Sequence, residues 1–375
     1  MNRITILLSQ IILLVAVTFS ITGCVTDNYP DCPDTPGSET TAQLRIRVAA
    51  PDPQSGSRSD IYYIDHEALK GELMHSLRII IVREDGTVEH NRSINLNAPS
   101  EGLKLTDYET FIVKANEQKT VYAFANEESL PDGGYAVRSV KIGEKLRNDF
   151  DQLTITVGEV KTPLFMSRKT IVEKSRLTLD NISTDDSGNP LPVYHTIFII
   201  RASVKFTYTI TNELLAPVTI SQIMVNGLTK KEYLLPTDIN DIINDKQYIT
   251  QYSTPTDLEK GIKILANITE ENGTIATNET KSFGPYYCNE APIWGVTSMP
   301  FTVPDEQTGK SPYTTSITLS DGSTLWDGAF NNLPALPRNT HVIVYIAIKQ
   351  QRIDLSVTVI PYTGVWLNPN FGIDR

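Results

Sequence analysis

The sequence predicts an all-β protein with two β-sandwich domains in tandem after an export signal. Runs with an apolar residue at every second position, and short wholly apolar runs, recur between turn signals, while helical patterns are few. The length of 375 residues favours two domains over one, and 40% hydrophobic with 21% charged residues is typical of a globular chain. Many short strands with few helices favour sandwiches.

Residues 1–23 have the pattern of a bacterial lipoprotein signal peptide. Arg3 is the only charged residue among the first 26, and residues 4–19 include 12 apolar side chains. The segment ends in Ile21-Thr22-Gly23-Cys24, which resembles the lipobox, in which the cysteine is acylated and becomes the new N-terminus. Cys24 is therefore the predicted lipidation site, and its acyl chains would hold the protein on a membrane. The alternative is an ordinary signal peptide with an incidental cysteine.

A tether and a strand open the mature chain. Residues 24–41 contain prolines, a glycine and scattered polar residues, which predict a tether. Leu44, Ile46 and Val48 then alternate with polar residues, as in a half-buried strand. Proline, glycine and serine in residues 51–59 end this strand and predict a flexible loop.

Further strand signals fill the predicted N-terminal sandwich domain, residues 42–192. The apolar run 77–82 is followed by Asp85-Gly86, which predicts a hairpin into residues 87–96. Residues 120–125 are apolar on both faces, as in a buried central strand. Residues 143–150 predict a short helix.

The predicted C-terminal sandwich domain comprises residues 193–375 and follows the turn-rich segment 181–192. Apolar residues occupy every second position from Phe198 to Ile210, which predicts one 13-residue strand. Residues 342–348 predict another strand. A last strand is predicted from the alternation of Ile353, Leu355, Val357 and Val359.

The sequence offers no chemistry that would indicate an enzyme. It has no H-E-x-x-H, G-x-S-x-G, Walker, G-x-G-x-x-G or C-x-x-C motif, so we predict no catalytic residue, metal site or cofactor. Removal of the signal peptide takes Arg3 away and changes the net charge from −11 to −12, which argues against binding to nucleic acid. Cys32 and Cys288 pair with each other, remain thiols or form a disulfide with another chain, and the sequence does not decide among these.

Three tryptophans suggest a competing function. Trp294, Trp326 and Trp366 would form a sugar-stacking platform if their rings were exposed on loops. Their apolar neighbours favour packing in a core or at a sheet edge.

Six segments spread over the mature chain resemble, in their order and spacing, the fimbrillin family of Bacteroidales, whose members are lipoprotein-precursor pilins. They are Leu77-Arg78-Ile79-Ile80-Ile81-Val82 with Asp85-Gly86, Thr120 to Glu127, Leu164-Phe165-Met166-Ser167, Ile200 to Lys205, Pro337-Arg338-Asn339-Thr340-His341, and Tyr362 to Gly372. One departure is Phe165, which stands where proline is usual.

The resemblance implies two transthyretin-like β-sandwiches and polymerisation by strand exchange. The precursor would reach the outer membrane through the lipid on Cys24, and a trypsin-like protease would cut after an arginine to remove the first strand. We predict cleavage between Arg58 and Ser59, removal of the strand with Leu44, Ile46 and Val48, and donation of the strand with Ile353, Leu355, Val357 and Val359 to the next subunit. The expected partners are other fimbrial subunits and a host or bacterial surface receptor, and the expected location is a fimbrium at the cell surface.

Two alternatives stay open. A subunit that keeps its lipid on Cys24 and is not cut would anchor the fimbria in the outer membrane, and Asp31-Cys32-Pro33 resembles the start of such anchor members. The second alternative is a monomeric lipoprotein that binds glycans through its tryptophans. The sequence also leaves open which C-terminal strand is donated.

Overall fold

β-Strands dominate the protein. The computed structural model describes residues 40–50, 68–156, 160–229, 231–236, 260–289, 313–330, 336, 338–350 and 352–361. The strands are β1 (Thr41–Ala49), β2 (Leu77–Arg83), β3 (Val88–Ile94), β4 (Glu109–Lys114), β5 (Lys119–Ala125), β6 (Thr154–Thr156), β7 (Met166–Val172), β8 (Val193–Phe198), β9 (Ile200–Arg201), β10 (Val204–Asn212), β11 (Val218–Thr229), β12 (Lys231–Tyr233), β13 (Lys260–Asn267), β14 (Thr274–Ile275), β15 (Thr280–Cys288), β16 (Thr314–Leu319), β17 (Thr324–Ala329), β18 (Thr340–Ile348) and β19 (Ile353–Pro361). The described α-helices have a single turn each, and they are α1 (Tyr135–Arg138), α2 (Lys174–Leu177) and α3 (Glu270–Gly273).

The first sandwich packs a three-stranded sheet of order β4-β1-β8 against a five-stranded sheet of order β3-β2-β5-β7-β9. Inward side chains from both sheets form one apolar core, because alternate residues of each strand point to the same face. Among the buried members of this core are Leu44, Ile79, Phe111, Val121 and Ile197.

The outer face of the five-stranded sheet carries a second apolar cluster. Phe124 stacks on Phe165, with ring centroids 6.3 Å apart, and Phe150 packs edge-to-face on Tyr122 at 5.3 Å. Leu234, in the short segment after β12, is buried in the same cluster. The strand β5 is therefore apolar on both faces because both faces are covered.

The second sandwich packs a sheet of order β15-β10-β18-β19 against a sheet of order β13-β11-β16-β17, in which β14 also pairs with β11. Its core includes Phe206 and Tyr208 of β10, Ile223 of β11, Ile317 of β16 and Val344 of β18, all buried. The strand β10 lies between β15, to which it is antiparallel, and β18, to which it is parallel.

Several sequence predictions are confirmed. The class is all-β, β2 and β3 form the predicted hairpin, and Gly86 in its turn has a φ of 87°, which glycine adopts without strain. The strand β5 is central, since it pairs with both β2 and β7. Within the described ranges, no helix has the length and apolar character needed to cross a membrane.

Two predictions of elements are wrong. The expected strand 198–210 is divided among β8, β9 and β10, because the chain crosses from the sheet of β1 to the sheet of β7 and then to the second sandwich. The expected helix over 143–150 is absent from this described segment, in which turns flank a β-bridge between Lys145 and Thr87 and a 3-10 turn begins only at Phe150. The division into domains 42–192 and 193–375 stays a prediction, and β8 lies on the first-sandwich side of the chain through its pairing with β1.

Candidate functional site

The first strand, β1, lies in the middle of its sheet. It pairs antiparallel with β4 on one side, from Thr41–Lys114 to Ile46–Glu109, and parallel with β8 on the other, from Leu44–Val193 to Ala49–Phe198. Both backbone edges of β1 are thus hydrogen-bonded. In the described sheet, β4 and β8 are connected only through β1. The sheet therefore depends on β1 for its continuity.

The inward face of β1 is part of the first core. The side chains of Ala42, Leu44, Ile46 and Val48 are at most 5% exposed. They pack with residues of β4, β8 and the facing sheet. The predicted first-strand residues Leu44, Ile46 and Val48 do lie together on this inward face. Loss of β1 would therefore open a groove between β4 and β8, with the apolar residues that now contact these side chains as its floor.

Polar contacts hold the C-terminal end of β1. The Val48 amide donates to the Thr106 hydroxyl oxygen at 2.9 Å, and the Thr106 amide donates to the Val48 carbonyl at 2.9 Å. The Ala50 amide donates to the Lys104 carbonyl at 2.8 Å, and the Ile199 amide donates to the Ala49 carbonyl at 2.9 Å. These bonds fix the register of the strand up to the point where the loop begins.

The outward face of β1 carries two arginines beneath two tyrosines. The Arg45 guanidinium carbon lies 5.8 Å from the ring centroid of Tyr194, and that of Arg47 lies 4.9 Å from the centroid of Tyr108. The two rings contact each other edge-to-face at 5.0 Å. Arg47 Nε also donates to Thr196 Oγ1 at 3.1 Å. Neither tyrosine carries a signal in the sequence, because only the registers of β4 and β8 on β1 place both of them beside this strand.

The predicted cleavage residues Arg58 and Ser59, and the predicted lipidation residue Cys24, lie outside the described residues. Arg45 and Arg47 are the arginines nearest to the loop on its N-terminal side, and both lie within β1. A protease must draw its substrate out as an extended chain, so peptide bonds that pair on both sides are protected. This geometry favours a cut in the loop over a cut in β1.

A buried ion pair follows the loop. Lys205 Nζ of β10 lies 3.0 Å from Glu72 Oε1, to which the Tyr287 hydroxyl donates at 2.9 Å, and the Leu69 amide donates to Glu72 Oε2 at 2.9 Å. Arg201 Nε donates to the Glu72 carbonyl at 3.0 Å. Burial by itself would raise the pKa of Glu72, but attraction by Lys205, the hydrogen bonds from the Leu69 amide and from Lys205, and attraction by Arg201 outweigh it and lower the pKa below its ordinary value. The cluster joins the segment after the loop to the second sandwich.

The predicted donor strand is β19. It lies at the edge of its sheet and pairs antiparallel with β18 from Thr340–Pro361 to Ile348–Ile353. Ile353, Leu355 and Val357 are partly buried and pack against the second core. The side chain of Val359 lies outside the described residues. An edge strand held on one side by one neighbour is easier to release than a central strand.

The remaining predicted groups do not form a site in the described part of the chain. Trp326 of β17 is partly buried against the second core, whereas Trp294 and Trp366 lie outside the described residues. Cys288 is buried at the end of β15, and Cys32 lies outside the described residues, so their pairing stays untested. Among the described residues, no three His, Cys, Asp or Glu side chains come together in a way that would hold a metal ion.

Solved structures with a similar fold are fimbrial proteins. The tip fimbrial protein Mfa3 from Porphyromonas gingivalis, in a C-terminally truncated form, is 16% identical with a TM-score of 0.51, and the match covers 85% of this chain and 99% of that one. A fimbrial assembly protein from Parabacteroides distasonis is 12% identical with a TM-score of 0.45, over 86% of this chain and 99% of that one. The fimbrial anchor protein Mfa2 from Porphyromonas gingivalis is 9% identical with a TM-score of 0.39, over 85% and 97%.

Comparisons of the sequence alone are less informative than the comparison of folds. No family model matches the chain, and no curated protein matches it. The likeness to the tip protein, at 16% identity, is a likeness of fold over nearly the whole of that structure. The resemblance to the fimbrillin family is confirmed at this level, and the chain has a fimbrillin-like all-β fold.

Proposed function

We propose that this chain is a structural subunit of a cell-surface fimbria that supports adhesion. It is exported as a lipoprotein on Cys24 and cut between Arg58 and Ser59. It then polymerises by accepting a strand from another subunit in the groove that β1 leaves, while its own β19 fills the groove of the next subunit.

The observation that carries this proposal is the place of β1 in the fold. A first strand in the middle of a sheet, apolar on its inner face and followed in the sequence by the mostly small, polar residues 54–59, can be separated from the rest of the chain by one cut. Its removal leaves unpaired backbone groups on both β4 and β8, which are a template for an added strand.

The strand β19 has the features of a donor. Both β1 and β19 have nine residues, and both place apolar residues at alternate positions. A strand with the same period can replace β1 without moving any side chain to the wrong face of the sheet. Burial of three or four aliphatic side chains contributes roughly 5–10 kcal/mol, before the entropic cost of association.

The test of this proposal is the N-terminus and mass of the protein on the producing cell surface. A free N-terminus at Ser59, in a ladder of high molecular weight that persists in mild detergent, is the expected result. An acylated Cys24 on an intact chain would contradict cleavage and would instead support an anchor subunit. An intact monomer that loses glycan affinity when Trp326 is changed to Ala would support the glycan-binding lipoprotein.

A further inference from the structure

The two tyrosines above β1, Tyr108 and Tyr194, form what we call the tyrosine bridge. Tyr194 of β8 is opposite Arg45, and Tyr108 lies one position before the Ile46–Glu109 pair of β4, level with Arg47. The strands β4 and β8 flank β1, so their backbones are about 9.5 Å apart, twice the usual strand spacing. Rings that meet at 5.0 Å therefore reach towards each other across the outer face of β1.

Each ring of the tyrosine bridge lies over one arginine side chain of β1, Tyr194 over Arg45 and Tyr108 over Arg47. Each guanidinium lies within 6 Å of one ring centroid, the distance at which a cation is attracted by the face of an aromatic ring. Arg45 Nη1 also donates to the Tyr194 hydroxyl oxygen at 3.3 Å. Both rings remain partly exposed, with 37% of Tyr108 and 47% of Tyr194 accessible. When β1 leaves, both rings lose their cationic partners and stay at the rim of the groove.

The strand β19 cannot replace these partners. Between Ile353, Leu355, Val357 and Val359 lie Asp354, Ser356 and Thr358. With the apolar residues aligned on those of β1, Ser356 takes the place of Arg45 whichever way the strand runs. The place of Arg47 is then taken by Thr358 in one direction and by Asp354 in the other. From residue 353 to residue 375 the sequence has one basic residue, Arg375, so no segment there offers two cations two positions apart.

We infer that the groove of this chain prefers a donor strand from a different subunit, one with two basic side chains two positions apart on its outward face, over the C-terminal strand of another copy of this chain. This inference rests on the proposed function. Under this inference the chain accepts the donor strand of a different fimbrial subunit. Tyr108 and Tyr194 are then the residues that select that subunit.

Peptide competition on the full chain, cut once after Arg58, tests the inference. Four peptides compete with a fluorescent peptide of residues 40–50: the unlabelled parent, its R45S/R47T variant, a peptide of residues 352–362, and its S356R/T358R variant. Two cation–π contacts on exposed rings correspond to a 5- to 30-fold change in affinity, on the order of a factor of ten. We expect R45S/R47T to bind more weakly by this factor, and S356R/T358R to bind more tightly by it.

Two controls separate the tyrosine bridge from general attraction to an acidic protein. The 352–362 peptide with two arginines added beyond its C-terminal end should gain less than S356R/T358R. The acceptor Y108L/Y194L should bind the 352–362 peptide and its S356R/T358R variant with nearly equal affinity. Its difference between the 40–50 peptide and R45S/R47T should shrink to the contribution of the hydrogen bond from Arg47 to Thr196. The inference would be overturned if each parent peptide and its variant bound the unchanged acceptor with equal affinity. It would also be overturned if the two arginines added beyond the C-terminal end raised affinity as much as S356R/T358R does. Either result would leave strand exchange intact. If no peptide bound, strand exchange itself would be contradicted, and the inference with it.

Discussion

At the scale of single residues, a buried ion pair joins Glu72, in the segment before β2, to Lys205 of β10. Glu72 is fully buried, and 4% of the Lys205 side chain is exposed. Removal of one partner of a buried pair leaves the other charge without compensation, so K205M should lower the free energy of unfolding by about 3–5 kcal/mol. Urea denaturation followed by tryptophan fluorescence measures the loss.

A matched control for K205M is K141M. Lys141 pairs with Glu144 at 3.2 Å, but both side chains are mostly exposed. Surface pairs contribute about 0–1 kcal/mol, so K141M should leave the midpoint nearly unchanged. The double variant E72Q/K205M should lose less than the sum of the two single losses, since both charges are gone. Additive losses would show that the pair does not act as a unit.

His195 of β8 makes stability depend on pH. Burial, followed by repulsion from Arg176, lowers the pKa of this imidazole from 6.5 to about 4. As pH falls from 7 towards 4, the imidazole binds a proton more readily in the unfolded chain than in the folded chain. The free energy of unfolding therefore decreases across that range. The free energy of unfolding of H195Q should fall less between pH 7 and pH 5 than that of the unchanged protein. An equal fall in both proteins would assign the dependence to other groups.

At the scale of elements, alternation in the sequence predicts strands well but not their neighbours. The segments around Leu44, Leu77, Thr120, Val342 and Ile353 are strands, as their patterns indicate. The segment from Phe198 to Ile210 nevertheless contributes strands to three different sheets. Alternation in the sequence predicts which face of a strand is buried, but it does not predict which strands pair with it. The same limit applies to the candidate site: sequence predicts the inward residues of β1, whereas Tyr108 and Glu72 depend on contacts distant in the chain.

The strand β19 should tolerate a charge that β18 does not. Val357 is partly buried at the sheet edge, and its neighbour in register, Val344 of β18, is fully buried. An unpaired aspartate in a core costs several kcal/mol, so V344D should unfold the second sandwich, whereas V357D should cost about 1–2 kcal/mol. Thermal unfolding of the two monomers, followed by circular dichroism, compares them. Gross unfolding of V357D would argue that β19 is indispensable to its own domain and is not a donor.

At the scale of the whole molecule, the acceptor groove and the proposed donor belong to different cores. The strand β1 packs in the first core and β19 packs against the second. A subunit that accepts at one sandwich and donates from the other would make a head-to-tail contact, and such contacts build an open fibre unless their rotation closes a ring. If the further inference holds, the tyrosine bridge adds a restriction to this proposed scheme, since it would select the subunit that precedes this one in the fibre.

Assembly should depend on one peptide bond. A trypsin-like protease that requires arginine cannot use alanine, so R58A expressed in the producing cell should remain an intact chain with an acylated Cys24 and form no ladder. R147A is a suitable control because Arg147 is a mostly exposed residue that pairs with Asp149, far along the chain from residue 58, and it should still be cut and assembled. N-terminal sequencing and detergent gels distinguish the two. A ladder in R58A with an N-terminus elsewhere in residues 51–67 would keep strand exchange but would show that Arg58 is not the cleavage residue.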